Sequence, residues 1–178
     1  EGEFSRNSSF GSKSKNYSFG KESKNHCDGE ESINRSIGEY SRNTSTDQNC
    51  KNISGGVGSR NATIGNRSEN ISYGKRSRNS SSGHKSMNKS IGDYSRNASV
   101  GDETKWEING KNNIVAAIGF KDKVKAIKGT WVTLAEYIIQ ENGYPYEIKN
   151  VVTKKIDGNV LKENVFYSLL NGEFTEVN

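Results

Sequence analysis

Residues 86–99 read SMNKSIGDYSRNAS, and residues 32–45 read SINRSIGEYSRNTS. The two stretches lie 54 residues apart and hold no leucine, the first of which is Leu134. Working outward from Ser5 in blocks of nine, the chain stays in register through SRNSSFGSK, SKNYSFGKE and SKNHCDGEE to SRNASVGDE. Three divergent blocks follow, TKWEINGKN, NIVAAIGFK and DKVKAIKGT, so that fourteen blocks cover residues 5–130 with the consensus S-x-N-x-S-x-G-x-x. Only 30% of the 178 residues are hydrophobic. Composition alone would therefore assign the first hundred positions to disorder, because little apolar surface is available to offset chain entropy. Strict period is the stronger signal, and it indicates an all-β solenoid.

Within a block, positions 1, 3, 5 and 7 are small and nearly fixed, whereas 2, 4 and 6 vary and carry the bulky and charged groups. Alternation of period two is strand chemistry. Arg and Lys at position 2 must face water, so the Ser, Asn and Ser positions face inward. Stacked coils would align the Asn side chains (Asn43, Asn61 and Asn97 among them) into hydrogen-bonded ladders, since buried polar groups need partners. Glycine at position 7 suits a corner that needs positive φ or close backbone approach. Cys27 stands at position 5 and Cys50 at position 1, which reads as small inward thiols rather than a disulfide or metal pair.

Coil length follows from which blocks share a character. Sorting position 6 by threes groups Phe10, Ile37, Ile64, Ile91 and Ile118, against Asp28, Gly55, Ser82 and Asn109. That grouping favours 27 residues per coil and a three-sided prism. Two blocks per coil, 18 residues and two flat sheets, is the rival. On the 27-residue reading one side becomes an outward apolar stripe of Phe10, Ile33, Ile37, Tyr40, Ile64, Met87, Ile91, Tyr94, Ile114 and Ile118. Monomers seldom leave such a stripe uncovered, so it is the expected interface. A second column, Lys24, Lys51, Arg78 and Lys105, is a candidate polyanion-binding row.

From Trp106 the inward positions turn apolar: Trp106 with Ile108, Val115 with Ala117, Val124 with Ala126. Residues 131–178 hold all four leucines and the one proline. Runs separated by NGYP, DGN and NGE predict three or four short strands that cap the open sheet edge. The expected division is a solenoid over 1–130 and a β-rich cap over 131–178. The leading EGEF places Gly2 on the glycine position, and the array is expected to continue upstream of residue 1.

The nonapeptides running into KGTWVTLAEY and then DGNVLKENVFYSLLNGEFTEV resemble an uncharacterised family of phage and prophage proteins. There, Ser/Thr/Gly-rich nonapeptides precede a similar C-terminal block. The resemblance implies a phage or prophage origin and a virion or cell-surface location, and it supplies no activity or site residues. The NxSIG element is analogous in architecture to head repeats of trimeric adhesins, which have another period.

Chemistry-bearing motifs are scarce. N-x-S/T recurs because the repeat generates it, with the Asn pointing inward, so glycosylation is not expected. The GGxGxD aspartates of calcium-binding β-rolls are missing, and His26 and His84 stand alone as surface residues. No nucleophile–base set or phosphate-binding loop can be assembled, so neither an enzyme nor a cofactor or metal site is expected. Net charge is +5, with acids and bases interspersed, which does not suggest a nucleic-acid arm. No membrane partner is expected either. The expected role is a non-enzymatic structural element that associates with its own copy or with other phage structural proteins. The alternative is a module that binds a host polysaccharide or other polyanion along one repetitive side.

Overall fold

The computed structural model describes residues 3–141, 143 and 145–178. The glycine-position reading of Gly2 and the NGYP turn, which includes Asn142 and Tyr144, lie outside the described residues. Each of the fourteen blocks supplies one four-residue strand. In chain order these are β1 (Arg6–Ser9), β2 (Lys15–Ser18), β3 (Lys24–Cys27), β4 (Ile33–Ser36), β5 (Arg42–Ser45), β6 (Lys51–Ser54) and β7 (Arg60–Thr63). Then come β8 (Glu69–Ser72), β9 (Arg78–Ser81), β10 (Met87–Ser90), β11 (Arg96–Ser99), β12 (Lys105–Ile108), β13 (Ile114–Ala117) and β14 (Lys123–Ala126). Four further strands follow: β15 (Trp131–Ile139), β16 (Pro145–Lys155), β17 (Phe166–Leu170) and β18 (Glu173–Val177).

Odd-numbered strands of the array stack in parallel in one sheet and even-numbered strands in the other. Arg6 pairs with Lys24, Arg42 with Arg60, and Lys51 with Glu69, each a step of 18 residues. The protein is a β-solenoid, and its coil is the 18-residue rival, not the 27-residue prism. The separation of the opening stretches fits both coil lengths, because 54 is three times 18 and twice 27.

The interior explains the choice. Asn61 Nδ2 lies 3.2 Å from Asn79 Oδ1 in the next coil, 3.1 Å from Ser54 Oγ and 2.7 Å from the Ile71 carbonyl, both on the opposite sheet. The same pattern recurs at Asn43 and Asn52. Side chains this short reach the opposite backbone only if two sheets face each other directly. A triangular interior would leave them unsatisfied, at a cost of about 1–3 kcal/mol for each orphaned group. Asn43, Asn61 and Asn97 are buried, as the alternation requires. Cys27 and Cys50 are buried free thiols, and burial pushes the Cys50 thiol up.

The corners divide two tasks between two positions. A Cβ on Gly92 would fall on the Gly74 carbonyl of the preceding coil, so glycine at position 7 serves close approach. Positive φ falls instead at position 9, on non-glycine residues such as Tyr40, Arg76 and Tyr94 (φ 56–57°). Their N–H groups donate to the next coil: Tyr40 to the Val57 carbonyl at 2.9 Å, Arg76 to Asp93 at 2.8 Å. Those bonds offset the strain of the left-handed conformation.

Toward its end the interior becomes apolar, as the sequence indicates. Trp106, Ile108, Val115 and Val124 join Val132, Leu134, Ile156, Tyr167 and Leu169 in one core. The even Asn ladder stops beneath Trp106, whose indole donates to Ser99 Oγ at 2.9 Å. Asn88 Nδ2, next below, has no protein partner. β15 pairs in parallel with β13 and then antiparallel with β16, whereas on the other sheet β17 pairs antiparallel with β14 and then antiparallel with β18. The cap thus has four strands, two of them longer than the short strands expected (9 and 11 residues). Glu136 joins the two hairpins by accepting from Asn150, Lys149 and the Asn171 and Gly172 amides.

Candidate anion-binding face

The 18-residue coil redistributes both surface columns expected from the sequence. Ile37 stacks on Gly55, whose added Cβ would meet Ile37 Cα at 3.6 Å, so the apolar stripe does not exist as one surface. Ile33 and Met87 lie on the outer face of the even sheet, and Ile37 and Ile91 at its strand ends. Phe10, Ile64 and Ile118 follow odd strands, and Tyr40 and Tyr94 stand at the corner that leads into the odd sheet. Ile114 lies on β13 of the odd sheet. The basic column also separates. Lys24 and Arg78 are on the odd sheet, Lys51 and Lys105 on the even sheet. There Lys51 pairs with Glu69 at 2.6 Å, and Lys105 lies over the Phe166 ring at 4.5 Å. The physical reason is the same in both cases: direct sheet opposition brings residues 18 apart together, and residues 27 apart fall on opposite sheets.

A different column forms. Position 2 of the odd strands reads Arg6, Lys24, Arg42, Arg60, Arg78 and Arg96, in contact rung by rung through the parallel register. All six are exposed. At ~4.8 Å per rung the row spans roughly 24 Å. Position 4 of the same strands is small apart from His26: Ser8, Thr44, Ala62, Ser80 and Ala98. The arginines therefore stand as one wall of a trough with a flat, short-chained floor. Between β5 and β11 it encloses about 450 Å3, and a further hollow of about 340 Å3 continues it to β1. Strand-end residues follow the floor, including exposed Ile64 and Val100 and one acid, Asp28.

Charge pairing sets this face apart. On the even sheet, Lys51 meets Glu69, and Lys89 and Lys125 meet Glu107 at 3.4 and 3.2 Å. The corners carry Lys13–Glu31, Lys21–Glu39, Lys75–Asp93 and Lys85–Glu103. Among the described residues, none of the six cations of the odd row belongs to an ion pair. His26 lies in the trough, its Nδ1 3.0 Å from Thr44 Oγ1, and His84 pairs at 3.5 Å with Asp102 on the far corner. Among the described residues no group of His, Cys, Asp and Glu is arranged to hold a metal ion. No described helix is long and apolar enough to cross a membrane.

The sequence carried the row all along. Position 2 sorted by twos gives Arg, Lys, Arg, Arg, Arg, Arg, Ile for odd blocks and Lys, Ile, Lys, Glu, Met, Lys, Lys for even ones. Fold and face together define a parallel two-sheet β-solenoid with one cationic side. No family model, curated protein or solved structure matches the chain.

Proposed function

We propose that this protein is a non-enzymatic binding module that holds a linear polyanion, an acidic polysaccharide, lengthwise in the trough of the odd sheet. The observation that carries this reading is the unpaired row of Arg6, Lys24, Arg42, Arg60, Arg78 and Arg96. Like charges opposite one another on neighbouring strands destabilise a sheet. Elsewhere an acid breaks the cationic run, as Glu69 does beside Lys51, or the run is short, as at Lys105 and Lys123, so six successive cations are expected only where an anion covers them. A straight polymer meets the whole row at once, and the small floor lets its backbone approach the sheet. An extended pyranose chain advances about one rung per sugar. Arginine also suits the task, because its planar fork grips oxyanions through two N–H groups.

The test is binding of a polyuronate to the whole chain across a salt series. Six contacts should make log K fall by roughly four per decade of salt. Replacing Arg42 and Arg60 by Ser should lower that slope by about 1.4. Salt-independent binding, or a double variant that binds as the parent does, refutes the reading.

The even face supports a second reading, self-association. About a twofold axis between β6 and β8, Lys51 would face Glu69 of a second copy, Ile53 would face Ile71, and Ile33 would face Met87. Arg35 would then meet Lys89, so contact is confined to the central rungs. An Ile53→Lys variant that keeps the parent's oligomeric state removes this second reading. A phage or cell-surface setting rests on the family resemblance alone.

A further inference from the structure

The cationic row is widest at one place. Arg76 occupies the left-handed corner position immediately before β9 (φ 56°), so its guanidinium stands beside that of Arg78 in the same coil. In the next coil the equivalent corner residue is Tyr94, followed by Arg96 on β11. These four side chains enclose a hollow of about 360 Å3 at the edge of the trough. Tyr94 lines this hollow and is 57% exposed. The neighbouring acid, Asp93, is already engaged, pairing with Lys75 at 3.8 Å and accepting from the Lys111 amide at 2.8 Å. Among the described residues no ion pair involves Arg76, Arg78 or Arg96.

The geometry points to a subsite for a tetrahedral anionic ester, a sulfate or phosphate monoester, carried on a sugar of the bound polymer. This inference rests on the polyanion-binding reading and specifies its ligand. A carboxylate is planar and offers two oxygens with about four acceptor sites between them. Three guanidinium groups around one hollow provide more donors than two oxygens can use. A terminal sulfate or phosphate ester offers three oxygens on a tetrahedral centre and can engage all three forks. A phosphodiester of a nucleic acid offers only two unbridged oxygens and one charge per unit. Tyr94 contributes an apolar ring face for a pyranose and a hydroxyl at its rim. Nucleic acid would call for a run of stacking aromatics, one for each successive base. On this corner Tyr40 and Tyr94 are separated by Gly58 and Arg76.

The test compares chondroitin sulfate, a phosphorylated mannan, polygalacturonate and a single-stranded oligonucleotide at one salt concentration, with the full chain and three variants. The parent should prefer an ester-bearing glycan over polygalacturonate by about tenfold, equivalent to one charge-assisted hydrogen bond. Whichever of the first two polymers binds more tightly identifies the ester. Arg76→Ala and Tyr94→Ala should remove the preference and leave polygalacturonate binding within twofold. Arg42→Ser/Arg60→Ser should weaken every polymer alike and keep the preference. A parent without preference, an oligonucleotide that binds tightest, or an Arg76→Ala loss equal for all polymers overturns the subsite. If instead the Arg42/Arg60 variant changes nothing while Arg76→Ala abolishes ester binding, the trough reading fails and the subsite stands. Arg76 and Tyr94 are exposed corner side chains, and an unchanged circular dichroism spectrum checks that the variants fold.

Discussion

Replacing Asn61 by alanine should cost the solenoid about 3 kcal/mol, although the side chain is small and polar. Asn61 is 1% exposed. Its two amide hydrogens are shared among Asn79 Oδ1, Ser54 Oγ and the Ile71 carbonyl, at 3.2, 3.1 and 2.7 Å. Its Oδ1 accepts from Asn43 Nδ2 at 3.1 Å. Alanine removes two donors and one acceptor at a buried site. Each buried hydrogen bond lost contributes about 1 kcal/mol, and more where the former partner is left unsatisfied. Asn61→Asp has nearly the same shape but cannot donate and buries a charge between two sheets. It should be worse than alanine at neutral pH and recover part of the loss in acid as the carboxyl is protonated. Urea unfolding is the assay, followed by far-ultraviolet circular dichroism and by the fluorescence of Trp106 and Trp131. Coils of a solenoid contact only their neighbours. The polar coils should therefore open at lower urea than the apolar end that holds Trp106, and the two probes should separate. An alanine cost below about 1 kcal/mol, or an aspartate variant no worse than alanine at neutral pH, would refute the account of the Asn ladder.

Two further outcomes follow from the interior. Burial raises the carboxyl of Asp122 from 3.8 to about 6, opposed by hydrogen bonds from Thr104, Gly119 and Ser99. A carboxyl raised in the folded state stabilises the fold below its unfolded value and loses that contribution as pH rises through the folded one. Stability should thus fall by about 3 kcal/mol between pH 4 and 7, and Asp122→Ser, the repeat's own residue at that position, should flatten the profile in thermal melts. Gly92→Ala places a Cβ against the Gly74 carbonyl and should cost about 1–3 kcal/mol, because the corner must shift as it does for an overpacked core. The natural Asp47 at the same repeat position shows that such a shift is possible, so Gly92→Ala should lower the urea midpoint without abolishing the fold.

Much of the architecture was legible because it is written locally. The outward Arg and Lys of position 2 set which face of every strand meets water, and the inward Asn and Ser follow from period two alone. The switch to Trp106, Val115 and Val124 announced an apolar end in the same way. Coil length was not local. It depends on whether an Asn side chain can reach the carbonyl ten residues ahead on the opposite sheet, as Asn61 reaches Ile71. Position 6, where the sorting by threes was done, lies at the strand end and varies freely, as Ile37 above Gly55 shows. Position 2 is held in rung-by-rung contact and carries the twofold sorting that matters. The cationic trough went unread for the same reason, since its members are neighbours only in an 18-residue coil.

The two sets of positions divide the work. Side chains of Ser and Asn and the bare backbone of Gly at odd positions make the bonds and close contacts of the interior and corners, whereas Arg60 and Arg78 at position 2 bond to neighbouring coils through their backbone and leave their side chains exposed. The side chains along the trough can therefore change at little cost in stability. A substitution at Asn61, by contrast, can affect binding only by opening the coil that carries Arg60. The even face shows what the same scaffold does when position 2 is left to alternate. Lys51 and Glu69 neutralise each other across adjacent strands, and Ile53 and Ile71 fill position 4, where the odd sheet keeps Thr44, Ala62, Ser80 and Ala98. The same solenoid core thus carries a paired, apolar face and an unpaired, shallow cationic one. The second arrangement is uneconomical unless something negative lies in it.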